Sequence, residues 1–293
     1  MIRGILPPLT TPFREDGALD VAAFEANLAI YATQDLGGVL VLGSNGEAQV
    51  LDEAEKLALV RAARARVPDR TVLVGTGLES TRATIALTRK VADLGADAVL
   101  VLTPHYYKSH MTADALRAHF EAVADASSIP VLLYSVPAFT GITWPAGLAA
   151  ELARHPLIRG MKESSGDVGL LGRLVASVPP GFHVICGNAP VIYPALCVGA
   201  VGGILAAACC APRPVTALYQ AFQEGDHARA RRLQEAIAPL AVAITATHGV
   251  AGLKAAMDLA GFRGGPVRAP LRPVKDEVRA ELRTLLDRAE RAV

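Results

Sequence analysis

The sequence predicts an α/β protein, a (β/α)8 TIM barrel with a C-terminal helical appendage. Two observations carry that expectation. Eight short apolar runs alternate with longer segments of helical period, and the alternation stops near Gln223, where only helical pattern continues. The 293 residues fit a barrel of about 200–250 residues with a smaller part behind it. The expected division is a barrel at 1–224 and helices at 225–293.

The first run, Ile2–Leu9, contains Pro7 and Pro8, which interrupt the apolar stretch a secretory signal needs, so no export is expected. The second is Gly38–Leu42. The turn Gly43-Ser44-Asn45-Gly46-Glu47 follows it, and Asp52-Glu53-Ala54-Glu55 then has the spacing of a capping box opening a helix. Thr71–Val74 is the third run. The Gly75-Thr76-Gly77 after it lacks the third glycine and the later acidic partner of a dinucleotide fingerprint, and reads as a barrel loop. Leu87, Val91 and Leu94 recur at i, i+4, i+7 ahead of the fourth run, Ala98–Leu102. Val131–Tyr134, Ile158–Lys162, His183–Cys186 and Gly202–Ala206 complete the set. Runs rich in Val, Ile and Leu need cover on both faces, which a closed barrel inside a ring of helices provides; an open doubly wound sheet is the alternative.

Val184–Pro212 carries no charged residue, yet Pro190, Pro194, Gly199, Gly202 and Gly203 cut it into strand- and helix-sized pieces, against a membrane span. Beyond Gln223, helices are expected at Asp226–Ala246, Ala251–Ala260 and Lys275–Arg291, broken by Gly249, Gly264-Gly265-Pro266 and Pro270.

Composition narrows the function. Hydrophobic residues at 52% and charged residues at 19% describe a packed globular chain. Lys and Arg total 29 against 28 Asp and Glu, a balance without the field of a nucleic-acid or anionic-membrane binder, so the expected partner is a small molecule. Cys186, Cys197, Cys209 and Cys210 have no C-x-x-C spacing; neither zinc nor a disulfide framework is indicated, and a cytoplasmic compartment is expected. Of seven scattered histidines only His105 and His110 lie close together, which leaves a metal-dependent enzyme without an evident ligand set.

Barrel chemistry sits where the strands end and the following loops converge. The sixth run ends Gly160-Met161-Lys162-Glu163-Ser164-Ser165, placing a lysine at the edge of an apolar strand. Burial there favours the neutral amine that attacks a ketone to form a Schiff base; the bland alternative is a lysine paired with Glu163 or a buried carboxylate. The fifth run ends Tyr134-Ser135-Val136-Pro137, and adjacent parallel strands put Tyr134 beside Lys162, where its hydroxyl can both give and take a proton; otherwise it is a core tyrosine. The Ser44 turn can aim N–H groups and a hydroxyl at a carboxylate, or be turn chemistry alone.

Together, the Gly-x-x-Gly-Glu turn, the Tyr-x-Val-Pro strand end and the Lys-x-Ser strand end resemble the dihydrodipicolinate synthase / N-acetylneuraminate lyase family of pyruvate-dependent class I aldolases. The similarity runs from Thr10-Thr11-Pro12-Phe13 through Thr103-Pro104-His105-Tyr106-Tyr107 to Gly264–Leu271. It implies that Lys162 forms the Schiff base, Tyr134 relays protons, and Ser44 and Asn45 hold the pyruvate carboxylate. It further implies that Tyr106 reaches across a subunit interface of a homo-oligomer, dimer or tetramer, that Gly187 and Ile204 line the pocket, and that no metal or organic cofactor is needed. Synthases of the family usually carry an arginine two residues after the Tyr-x-Val-Pro proline; here Phe139 stands there. Gly-Ser-Asn-Gly-Glu, Glu79-Ser80-Thr81, Tyr134–Pro137 and Ser165–Val168 resemble the 4-hydroxy-2-oxoglutarate aldolase branch, which splits its substrate into pyruvate and glyoxylate, and Ser164 is expected on the glyoxylate carboxylate. The alternatives are dihydrodipicolinate (4-hydroxy-tetrahydrodipicolinate) synthase and a 2-keto-3-deoxy sugar-acid aldolase. A non-catalytic ketoacid sensor on this fold needs neither Lys162 nor Tyr134.

Overall fold

The computed structural model describes residues 2–145 and 147–293. Eight strands, β1 (Gly4–Leu6), β2 (Gly38–Val41), β3 (Thr71–Gly75), β4 (Ala98–Leu102), β5 (Val131–Ser135), β6 (Ile158–Glu163), β7 (His183–Cys186) and β8 (Gly202–Ile204), pair in parallel in the order β1-β8-β7-β6-β5-β4-β3-β2. The ring closes between its two ends: Leu40 N donates to Pro7 O at 3.0 Å and Leu9 N to Leu40 O at 2.8 Å. This is a TIM barrel.

Alternation along each strand sorts side chains into two layers. Leu6, Leu40, Leu73, Leu100, Leu132, Tyr134, Ile185 and Ile204 fill the barrel. Val39, Val41, Val72, Val74, Val99, Leu133 and Met161 face the surrounding helices, in one cluster with Leu59, Phe120 and Leu171. The expected first and last runs are longer than β1 and β8. Prolines explain the first: Pro7 and Pro8 have no N–H to donate, so the ladder stops at Leu6. In the last, the chain turns after Ile204 into a short helix, Ala207–Cys210.

Helices open where side chains cap them. Asp52 accepts from Glu55 N at 2.8 Å while Glu55 accepts from Asp52 N at 3.0 Å, the reciprocal box expected. Asp20, Ser80, Thr112, Asp167 and Asp226 each cap a helix. After Pro212–Gln223 come the helices His227–Val242, Gly249–Leu259 and Asp276–Glu290, the first prolonged by a π-helical turn at Ala243–Thr247. They attach to the barrel by specific bonds: Gln234 accepts from Tyr193 N and donates to Ala189 O, and Asn27 exchanges two bonds with the backbone of Arg263. The uncharged stretch Val184–Pro212 is divided among β7, the helix Ile192–Cys197, β8 and Ala207–Cys210. Among the described residues, no helix is long and apolar enough to cross a membrane.

Candidate active site

Tyr134 and Lys162 are register partners on β5 and β6, and Lys162 pairs in turn with Ile185 of β7. Their alignment depends on an irregularity: Val131 pairs with Ile158 but Leu132 with Gly160, so Arg159 is an extra residue in β6. Counting on from Val131 without that bulge, Tyr134 would face Met161. With it, the Lys162 Nζ lies 4.4 Å from the centroid of the Tyr134 ring, and the two residues are only 5% and 6% exposed. Glu163 does not neutralise the lysine. It falls on the opposite face of β6, where its carboxylate accepts from Ser165 N at 2.9 Å and Ser165 Oγ at 2.8 Å, and burial holds its carboxyl above the usual range.

Beside Lys162 the space is tightly apportioned. A Cβ on Gly187 would lie 1.8 Å from Ser164 Oγ and 2.8 Å from Lys162 Cε, so only glycine leaves both side chains where they are. Ser164 Oγ is buried and, among the described residues, has no hydrogen-bond partner. Such a hydroxyl is an open acceptor and donor at the lysine. The neighbouring Cys186 thiol, pushed up to about 12 by burial, stays protonated.

The turn carrying Ser44 and Asn45, both half-buried, follows β2 as a single 3-10 turn, Ser44–Gly46. Leu42 and Glu47 bracket it with φ of 60° and 52°. A cavity of about 30 Å³, room for roughly one water, runs from Ser44 and Tyr134 to Leu78 and the half-buried Lys56, whose ammonium burial holds below its ordinary pKa. Ile204 pairs with Leu6 inside the barrel. Tyr106 is elsewhere: 76% exposed, edge-on to Tyr107 at 5.1 Å, with its backbone N–H and that of His105 donating to Glu79. Phe139, 62% exposed, sits just beyond β5. Among the described residues, no three His, Cys, Asp or Glu side chains are grouped to hold a metal.

Some supports of the site carry no local sequence signal. Trp144 Nε1 donates to Thr103 Oγ1 at 3.0 Å, and Thr103 donates to Tyr134 O at 3.0 Å, pinning the end of β5. Glu47 is paired with Lys254 at 2.6 Å, both side chains 1% exposed. A lone charge amid the apolar Val250–Met257 was the available hint for Lys254. A second cavity, about 340 Å³ and touching Ile2, Asp97, Arg159 and His183, opens at the opposite ends of the strands.

The chain is similar to known proteins over nearly its whole length. The family model for the dihydrodipicolinate synthetase family matches residues 1–289. A protein of an Exiguobacterium species named 4-hydroxy-tetrahydrodipicolinate synthase is 36% identical over 289 residues, covering 98% of each chain. The solved 4-hydroxy-tetrahydrodipicolinate synthase of Methylacidiphilum fumariolicum superposes with a TM-score of 0.94 at 30% identity, over 100% of this chain and 97% of that one. A prophage protein of E. coli K12, of the dihydrodipicolinic acid synthase family and solved with pyruvate, has a TM-score of 0.91 at 32% identity over 99% of each chain.

Proposed function

Because the chain belongs to the dihydrodipicolinate synthetase family, and is a class I pyruvate-dependent lyase of that family, we propose that Lys162 is its Schiff-base lysine and Tyr134 its proton relay. The observation that carries this reading is the Lys162 amine set 4.4 Å from the Tyr134 ring centroid inside the barrel. The neutral amine adds to C2 of a 2-oxo acid. Tyr134 delivers the proton with which the carbinolamine oxygen leaves as water, and the iminium then draws electrons from C3. In cleavage, Tyr134 or water takes the proton of the 4-hydroxyl, the C3–C4 bond breaks with release of C4 as an aldehyde, and its electron pair enters the enamine; protonation at C3 and hydrolysis release pyruvate and return the lysine. Condensation runs the same steps backwards. Ser44 and Asn45 hold the carboxylate, Ser164 offers its free hydroxyl, Gly187 and Ile204 shape the pocket, and Tyr106 serves the site of a neighbouring chain.

Borohydride with pyruvate is expected to fix a pyruvate-derived mass on Lys162, read by peptide mass spectrometry, and Lys162→Ala to lose it. Label on a different lysine overturns the assignment. Tyr134→Phe is expected to keep ketoacid binding and lower turnover by roughly 10²–10⁴-fold.

The second substrate has two readings. The names of the relatives favour 4-hydroxy-tetrahydrodipicolinate synthase, condensing pyruvate with aspartate semialdehyde, over the hydroxyoxoglutarate cleavage expected from the sequence. The specific observation for 4-hydroxy-2-oxoglutarate is Phe139, an exposed ring where the synthase pattern has an arginine for the semialdehyde carboxylate. The ratio of kcat/KM for the two substrates decides: condensation without hydroxyoxoglutarate cleavage establishes the synthase, and the reverse establishes the aldolase.

A further inference from the structure

Leu42 and Glu47 are, among the described residues, the two non-glycine residues in the left-handed region, and they flank the turn of Ser44 and Asn45. A backbone held in that region at both ends of a four-residue turn persists only where its surroundings over-determine it. At Glu47 the surroundings come from far along the chain. One carboxylate oxygen accepts from Lys254 Nζ at 2.6 Å and the other from the backbone N–H of Arg268 at 2.9 Å. Lys254 donates also to Pro266 O at 2.7 Å, and its Nζ lies 4.5 Å from the Phe13 ring centroid, while the Arg268 guanidinium lies 4.1 Å from the same ring. Arg268 in turn forks onto Glu55 at 2.6 and 2.8 Å and donates to Val50 O. From the other side Thr11 Oγ1 donates to Gly46 O at 2.6 Å.

An ion pair this deeply buried is a poor source of stability, because desolvating two charges offsets their attraction. Its bonds do have a geometric effect. They anchor the Glu47 side chain at the end of the turn, while the Thr11 bond to Gly46 O holds the peptide before it.

We propose that Glu47, gripped by Lys254 and Arg268, is the positioning residue of the anion-binding turn, aiming Ser44 and Asn45 at the carboxylate of the 2-oxo acid. The inference rests on the reading of Ser44 and Asn45 given above. It makes the C-terminal helical part a component of substrate recognition.

The test compares two ketones trapped by cyanoborohydride on the full-length protein: pyruvate, and methyl pyruvate, which has the same skeleton without the negative charge. Glu47→Gln and Lys254→Met are expected to raise the half-saturating concentration of pyruvate about 10–100-fold, the scale of misplacing a positioned group, and to leave that of methyl pyruvate unchanged. Lys254→Arg, keeping the charge, is expected to restore much of the preference. Equal weakening of both ketones, or no change in either, marks the pair as structural only and overturns the proposal. Ser44→Ala is the reference. If it leaves the preference for pyruvate intact, the carboxylate-site reading fails and the proposal with it; if it removes the preference while Glu47→Gln and Lys254→Met retain it, the positioning role alone fails. Where a single variant does not fold, Glu47→Leu combined with Lys254→Met removes both charges together, and a retained preference for pyruvate there overturns the proposal.

Discussion

Gly187 is a residue whose importance lies in what it lacks. A single methyl group at that position would occupy the space of Ser164 Oγ and crowd Lys162 Cε. Gly187→Ala is therefore expected to displace the lysine by a fraction of an ångström or more and lower the rate of pyruvate trapping by about 10²-fold. Removing the closer obstacle in Gly187→Ala/Ser164→Ala is expected to recover part of that loss, since only the contact with Lys162 Cε then remains. The measurement is the trapping rate at saturating pyruvate, and a wild-type rate for Gly187→Ala contradicts the apportioned space. Reading the chain as a string finds Gly187 only through family resemblance, because its role is set by two side chains at the end of the neighbouring strand and just beyond it. Lys162 and Tyr134 are different: each stands at the end of an apolar run, where a polar residue is conspicuous on its own.

Between elements, the helices Thr81–Asp93 and Ala113–Asp125 meet through Thr81 Oγ1 and His119 Nδ1 at 2.9 Å. The other ring nitrogen of His119 is buried with no partner among the described residues, and burial lowers the imidazole to about 4 from its ordinary 6.5. The folded protein keeps this histidine neutral where the unfolded chain has already taken up a proton. The stability linked to it is thus complete above pH 6.5 and is lost as pH falls from there to about 4. Denaturant unfolding of wild type and His119→Phe across this window is expected to show their difference shift in favour of the variant on acidification, by about 2–4 kcal/mol. A constant difference rules out the linkage.

The strands themselves are legible from apolar runs bounded by glycine and proline, and the capping box at Asp52 from spacing alone. Register is another matter. That Tyr134 faces Lys162 rather than Met161 depends on the bulge at Arg159, and a bulge is decided by how two strands fit, which neither strand's composition records. The ends of β1 and β8 fall short of their apolar runs for the same kind of reason: apolarity marks burial, while a ladder also needs N–H donors and a partner.

At the scale of the molecule, the loops after β4 and β5 touch, with Lys108 against Gly141, and they expose Tyr106, Tyr107 and Phe139. Exposed aromatic surface of this kind, on loops that follow the strand ends of β4 and β5, suits association. A homo-oligomer completed by Tyr106 is the expected state, measured by sedimentation velocity, and Tyr106→Ala is expected to lower turnover or shift the assembly toward monomer. Full activity in a monomer would exclude this arrangement. The buried contacts of Glu47 with Lys254 and Arg268 span 207 and 221 positions of chain. A ribosome that has extruded all eight strands has still not released the lysine that holds the turn after the second. The barrel can thus begin to form in the exit vestibule before Lys254 and Arg268 have emerged, and on the roles proposed above the seat for the ketoacid carboxylate is organised only after they have.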